Sequence, residues 1–212
     1  MMPFTQALPK PMVPYQDSTL IAHGILRIRR YIPNIHVTVG YKGAMLAQHL
    51  IEQGVSTVIN TDGRSNSWWI HNSVLSNLDE PVFLLTCDNV TELDFASLEA
   101  DYFRRGGPAC MLVPVTPVEG LAGDYIFRGQ DWVTAVSRTE KSDIYCSGIQ
   151  VLNPRRVSQL VAAGGDFYDV WNALIAQKEL AVSSVFPTNW FSVDTLADLE
   201  RAESAVGLPK EP

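Results

Sequence analysis

Asp88 stands where an apolar run ends. In Val82–Asn89 (VFLLTCDN) five of the first six residues are Val, Phe, Leu, Leu and Cys, with only Thr86 polar. Such a run predicts a strand covered on both faces of a parallel sheet. Ligands of open α/β sheets sit just beyond the carboxyl ends of the strands, so a lone acid there is held at the crevice where chemistry is done. Its plainer reading is a strand-end turn former. Asp194, followed by Thr195, reads by itself as a helix cap. Lys10, between Pro9 and Pro11, reads as an exposed lysine in a proline-rich segment, and Glu140-Lys141 as a solvated charge pair. Gly148 suits a β-bulge.

The elements that must position these residues follow from composition and pattern. The chain has 212 residues, 46% hydrophobic and 18% charged, which fits one globular domain, residues 1–212, with a substantial core. A net charge of -7 argues against a nucleic-acid groove, which needs clustered Lys and Arg, but leaves room for a small phosphorylated substrate. Cys87, Cys110 and Cys146 are odd in number, widely spaced and form no C-x-x-C pair, which fits a reducing cytoplasm rather than a disulfide framework or a zinc site. No apolar run reaches the roughly 18 to 20 residues that span a bilayer, and no signal segment opens the chain. A cytoplasmic protein with no membrane partner is expected.

Residues 1–17 carry four prolines and predict an ordered loop or tail. Ser18-Thr19 caps a helix to about Arg30, Ile35–Tyr41 alternates as a strand, and a helix follows through Ala44, Leu46 and Leu50 to Gly54. Val55–Ile59 is a strand, 60–67 a polar loop, and Trp68–Leu78 a helix leading to the Asp88 strand. Leu93–Arg105 predicts a helix and Ala109–Val115 a strand. Residues 123–136 predict a small antiparallel hairpin inserted beside the sheet. Ile144–Leu152 is strand-like, Asn153-Pro154 opens a helix, and Phe167–Gln177 is another. Val182–Phe186 and Trp190–Val193 are short strands, and a helix from Leu196 to about Ala205 closes the pattern. Alternating strands and helices predict an α/β fold with a mostly parallel sheet flanked by helices.

Four segments, in order, resemble the nucleotidyltransferase family that joins a nucleoside triphosphate to a sugar 1-phosphate or related phosphate. PFTQALPKPMVP at 3–14 is similar to its P-[LF]-T-x-x-x-P-K-P-[ML] run, and TCDN at 86–89 stands in the place of its strand-end [NG]-x-D. TEKSDIYCSG at 139–148 is similar to its E-K…G-[IV] segment, and WFSVDTLADLERAE at 190–203 to its closing D-T-x-x-D-L-x-x-A. The resemblance covers nearly the whole chain and implies a Rossmann-like sheet of the nucleotide-diphospho-sugar transferase type. It also implies release of pyrophosphate, in the service of nucleotide-sugar and surface polysaccharide synthesis.

The chemistry accounts for these residue types. Attack of one phosphate on the α-phosphorus of a triphosphate brings two anions together, so the site needs positive charge and an in-line arrangement. Mg²⁺ supplies both, and takes one or two carboxylates with waters and substrate phosphates. By resemblance Asp88 and Asp194 are those carboxylates, and Lys10, stiffened by its prolines, neutralises the triphosphate. Lys141 would bind the phosphate of the second substrate, Glu140 its hydroxyls, and Gly148 would admit the sugar close to the backbone. The 63–67 loop (GRSNS) departs from the common G-T-x-G-A turn. With Trp68-Trp69 behind it, it is nearer the phosphocholine cytidylyltransferase branch. There Asn66 and Ser67 could hydrogen-bond a base edge and an indole could stack on it, while core packing explains the tryptophans as well.

Two departures matter. The family's opening strand and G-x-G-x-R phosphate loop find no match, because the resemblance begins just after them. Ser192 stands where relatives usually carry an acid. A non-catalytic nucleotide- or sugar-binding module of the same fold is therefore the alternative reading. A metal-dependent glycosyltransferase is a third, opposed by PFTQALPKP, since its substrate has no triphosphate tail. A homo-oligomer is compatible with the sequence and not required by it.

Overall fold

The structure, a computed structural model, describes residues 4–118, 121 and 123–206. In chain order the elements are α1 (Phe4–Ala7), β1 (Pro14–Tyr15), β2 (Ser18–Thr19), α2 (Leu20–Ile28), β3 (His36–Val39), α3 (Gly43–Glu52), β4 (Thr57–Asn60), α4 (Trp69–Asn72), β5 (Val82–Leu84), β6 (Asn89–Glu92) and α5 (Phe95–Arg104). There follow β7 (Cys110–Val115), β8 (Tyr125–Gly129), β9 (Trp132–Ser137), β10 (Tyr145–Leu152), α6 (Pro154–Leu160), α7 (Phe167–Ala176), β11 (Leu180–Val182), β12 (Asn189–Ser192) and α8 (Leu196–Val206). Single 3-10 turns occupy Lys10–Met12 and Val74–Asn77. The chain divides into two compact units: the described residues of Met1–Gly63, Cys87–Thr91 and Asn189–Pro212, and those of Arg64–Thr86 and Glu92–Thr188.

The first unit is built on two apolar clusters. One joins Ile21 and Ile25 of α2, Val39 of β3 and Leu46 and Leu50 of α3, with Val37, Val55 and Val58 packed against it. The i, i+4 spacings on both helices put those residues on one stripe, over the parallel β3–β4 pair. α2 begins where the sequence predicts, with the Thr19 side chain accepting from the Ala22 amide. The second cluster joins Val13, Tyr15, Leu20, Val90, Val193, Leu199 and Ala202. It gathers the proline-rich segment, the β6–β12 strand pair and α8 around one core. From Phe4 onward the proline-rich segment holds a short helix and a 3-10 turn where the prolines predict only loop.

The second unit holds a six-stranded sheet in the order β5-β10-β7-β11-β9-β8. β7 is buried along its whole length and lies between antiparallel β10 and parallel β11. Buried Gln150 on β10 accepts from the indole of Trp171 on α7 and from the thiol of Cys110. An interior amide needs such partners, and these fix the helix to the sheet. The α/β architecture agrees with the sequence reading, but the sheet is mixed. Parallel pairing occurs at β3–β4 and β7–β11, while β10 runs antiparallel to β5, β7 and β8. The short links from β7 through β10 reverse the chain, and only the longer α6–α7 connection gives β11 the crossover that parallel pairing needs.

Three elements shift along the chain and a fourth changes its place in the sheet. The Asp88 strand ends at Leu84, is half-buried rather than covered, and Asp88 lies in a turn just before β6. The 68–78 helix is broken at Ser73, which is extended (φ -124, ψ 170) and caps the following 3-10 turn through its hydroxyl. The 182–186 strand is displaced to Leu180–Val182. The β8–β9 hairpin is antiparallel as predicted, but it is no separate insertion: β9 pairs with β11 and β8 with β10 as part of the same sheet.

Candidate active site

Lys10, Asp88 and Asp194 all belong to the first unit, and each lies within three residues of a member of its second apolar cluster. Lys10 opens the 3-10 turn between Pro9 and Pro11, and its carbonyl accepts from the amide of Val13, which is fully buried. The prolines fix φ on either side of the lysine, so its backbone has little freedom left. Asp88 precedes β6, whose Val90 is in the cluster. Asp194 follows Val193, also fully buried, whose amide donates to the Asp88 carbonyl at 2.9 Å. Burial of Val13, Val90 and Val193 in one core therefore sets three distant backbone positions beside each other.

The side chains converge. The Lys10 Nζ donates to Asp88 Oδ2 at 2.8 Å and to Asp194 Oδ1 at 2.7 Å. Lys10 and Asp88 are 28% exposed and Asp194 53%, so the group sits at the surface with its charges within reach of solvent. Burial works against the Lys10 ammonium, but the hydrogen bonds to Asp194 and Asp88 and the attraction of both carboxylates outweigh it and raise its pKa. The hydrogen bond from Lys10 leads the causes that lower the pKa of Asp194, against its partial burial.

Asp194 Oδ2 accepts from the Ser192 hydroxyl at 3.1 Å. Both carboxylate oxygens of Asp194 thus have a donor, one on each side. The cap of α8 is made by the next residues: Asp198 Oδ2 accepts from the amide and hydroxyl of Thr195, and Thr195 Oγ1 accepts from the Asp198 amide. The cap reading of this segment therefore belongs to Thr195 and Asp198. Ser192 escaped the sequence reading as a partner of Asp194. The signal was its position two residues earlier at a strand end, where alternate side chains share a face.

The other candidates belong to the second unit. Asn66 Oδ1 accepts from the Phe167 amide, and buried Ser67 donates to the Gly165 carbonyl, so both tie the 63–67 loop to the start of α7. Trp69 is buried, and Arg64 lies over the Trp68 ring, 5.5 Å from its centroid. The core reading holds for Trp69. Glu140 and Lys141 are exposed after β9, where the Glu140 amide donates to the Ser137 hydroxyl. Gly148 has φ +80 and lies at the irregularity between Cys146 and Gln150 in the β10–β7 register, the bulge its sequence position suggested.

Among the described residues there is no group of three or more His, Cys, Asp or Glu side chains placed to hold a metal. Among them, too, no helix is long and apolar enough to cross a membrane, and the three cysteines are free.

No family model matches the chain. A mannose-1-phosphate guanyltransferase of Debaryomyces hansenii is 23% identical over 167 residues, covering 72% of this chain and 46% of that protein. The chain thus spans less than half the length of this curated relative. Among solved structures, one assigned as a glucose-1-phosphate thymidylyltransferase from Bacillus anthracis superposes with a TM-score of 0.76 at 14% identity, over 100% of this chain and 92% of that one. The CTP:phosphocholine cytidylyltransferase of Streptococcus pneumoniae gives 0.73 at 17% identity, over 97% and 93%. The inositol-1-phosphate CTP transferase of T. maritima gives 0.72 at 14%, over 95% and 89%. The chain has the fold of the nucleotidyltransferases that act on sugar phosphates and related phosphates.

Proposed function

We propose that the chain is a Mg²⁺-dependent nucleotidyltransferase that joins a nucleoside triphosphate to a sugar 1-phosphate or similar small phosphate and releases pyrophosphate. On this reading it works in the cytoplasm, toward nucleotide sugars and surface polysaccharide. The observation that carries the reading is the convergence of Asp88 and Asp194 on the Lys10 ammonium, from segments 78 and 184 residues away from the lysine. The shared fold with proteins named for nucleotidyl transfer to glucose 1-phosphate and phosphocholine supports it.

The residues fit the ion. Two carboxylates, hard oxygen donors of the kind Mg²⁺ prefers, already point at one cation. When bound, the metal would offset charge on the triphosphate and hold its oxygens for in-line displacement. Lys10 is the second positive charge, on a backbone stiffened by flanking prolines, so little entropy is lost when its ammonium takes a phosphate oxygen. Ser192 holds Asp194 in one orientation. In the second unit, Lys141 and Glu140 are assigned to the phosphate and hydroxyls of the acceptor, Asn66 to the base edge through its side-chain N–H₂, and Gly148 to close approach of the sugar, while Ser67, buried and donating to Gly165, holds the loop rather than the base.

The test is pyrophosphate release from each nucleoside triphosphate with Mg²⁺ and a panel of sugar 1-phosphates and phosphocholine. Wild type releases pyrophosphate with one such pair. Asp88→Asn abolishes release while its circular dichroism and thermal transition stay those of wild type. Full activity of Asp88→Asn refutes the assignment. Calorimetric binding of a nucleotide by wild type with no release for any pair marks a binding module instead.

A further inference from the structure

Lys10 fills the space between the two carboxylates assigned to the metal. Its Nζ lies 2.8 Å from Asp88 Oδ2 and 2.7 Å from Asp194 Oδ1, so one oxygen of each carboxylate is spent on the same ammonium. The second oxygen of Asp194 is taken by the Ser192 hydroxyl. A cation drawn to the oxygens that face each other meets a like charge in its own place. The pair also presents a formal charge of -1 rather than -2 while the ammonium stays. Lysine is a compact charge on a flexible four-carbon stem, so the ammonium can swing away while the backbone, pinned by its prolines and by the bond from the Val13 amide, does not move.

We propose that Lys10 and the divalent cation are mutually exclusive occupants of the Asp88–Asp194 pair. Entry of the metal displaces the Lys10 ammonium and makes it available to the phosphates of the substrate. This rests on the reading of Asp88 and Asp194 as metal ligands. The free protein then holds the ion weakly, because binding must first break two charge-assisted hydrogen bonds. A triphosphate that accepts the displaced ammonium strengthens metal binding, and by linkage the metal strengthens binding of the triphosphate by the same factor.

Two measurements on the full chain without nucleotide test it. Mn²⁺ binding is followed by electron paramagnetic resonance for wild type, Lys10→Met and Asp88→Asn. Lys10→Met binds Mn²⁺ at least about fivefold more tightly than wild type, the factor that one like-charge contact at 4 Å carries even when fully screened by water. Separately, acylation of Lys10 in wild type, read by mass spectrometry, speeds up on addition of Mg²⁺ while Lys178 acylation stays constant. The labelling needs no variant and stands if Lys10→Met fails to fold. Unchanged or weaker Mn²⁺ binding by Lys10→Met, with wild-type binding that Asp88→Asn removes, overturns the exclusion alone. So does a Lys10 acylation rate that Mg²⁺ leaves constant in a wild-type protein that binds the ion. Absence of Mn²⁺ binding in wild type and Lys10→Met overturns both the exclusion and the metal assignment.

Discussion

Asp101 offers the sharpest test of how the second unit is held together. It lies on α5, fully buried, and its carboxylate accepts from the Ser183 hydroxyl at 2.7 Å, the Ser184 amide at 2.8 Å and Arg105 Nε at 3.1 Å, with Arg104 also paired to it. These bonds fasten α5 to the segment that leaves β11. Burial alone would raise the pKa of this carboxyl, but the Ser183, Ser184 and Arg105 donors outweigh it and hold it at about 2, against an ordinary 3.8. That difference is worth ~2 kcal/mol of folding stability at neutral pH. The folded-state pKa is depressed, so the contribution is complete above about pH 4 and is lost as pH falls toward 2, with roughly half gone by pH 3. Asp101→Asn keeps the shape but turns an amide N–H₂ toward donors and leaves Arg105 without its buried partner, a change that costs about 3–5 kcal/mol. Urea unfolding at pH 7 should show this loss. The gap between wild type and variant should then narrow by ~1 kcal/mol between pH 5 and pH 3, because the ionised group that distinguishes them is being protonated. A gap that stays constant or widens on acidification refutes the claim that Asp101 is a buried anion held by its donors.

Two further outcomes follow from single contacts. Ser192→Ala removes the donor to Asp194 Oδ2 and should weaken Mn²⁺ binding by roughly threefold to tenfold, with Ser192→Thr restoring it; the thermal transition should not move, since the hydroxyl is at the surface. Equal Mn²⁺ affinity for Ala and Ser proteins would show that Asp194 needs no such support. Gly148→Ala forces a side chain into φ +80 at the β10 bulge and should cost ~1–2 kcal/mol by thermal or urea unfolding; an unchanged midpoint would mean the bulge relaxes.

Where the sequence pattern was read correctly, one local rule and one burial pattern agreed. Thr19 caps α2 through its side chain and Asn153 caps α6 with Pro154 behind it, each just ahead of an apolar stripe. Where it failed, tertiary pairing decided. Leu180–Val182 is wholly apolar and comes opposite Cys110–Leu112 in parallel register, whereas Val182–Phe186 is interrupted by Ser183 and Ser184, and the strand forms at the first. The 82–89 run reads as one buried strand because apolar content does not report hydrogen-bond partners. Only Val82–Leu84 finds β10, and the next strand starts at Asn89 in the other unit. Apart from the antiparallel β8–β9 hairpin, which its turn announced, strand direction was illegible for the same reason, since it depends on which strands meet and not on what each contains.

The site was legible in its residue types and illegible in its pairings. Asp88 stands out at the end of its apolar run, but Lys10 and Asp194 join it only through resemblance to the family's motifs, because nothing in a spacing of 78 and 184 residues says that three charges share a point. What brings them together is apolar: Val13, Val90 and Val193 enter one core, and each is within three residues of a charge. A charged cluster cannot assemble itself in this way, because solvent-exposed ion pairs contribute little to stability. The valine cluster carries the cost of placing them, and the charges are thereby free to exchange partners. That division explains why the Ser192 position tolerates a hydroxyl. If the core already fixes the backbone of Asp194, the residue two places earlier need only orient the carboxylate, and on the proposed exchange a donor that adds no negative charge leaves Lys10 able to hold the pair until the metal enters.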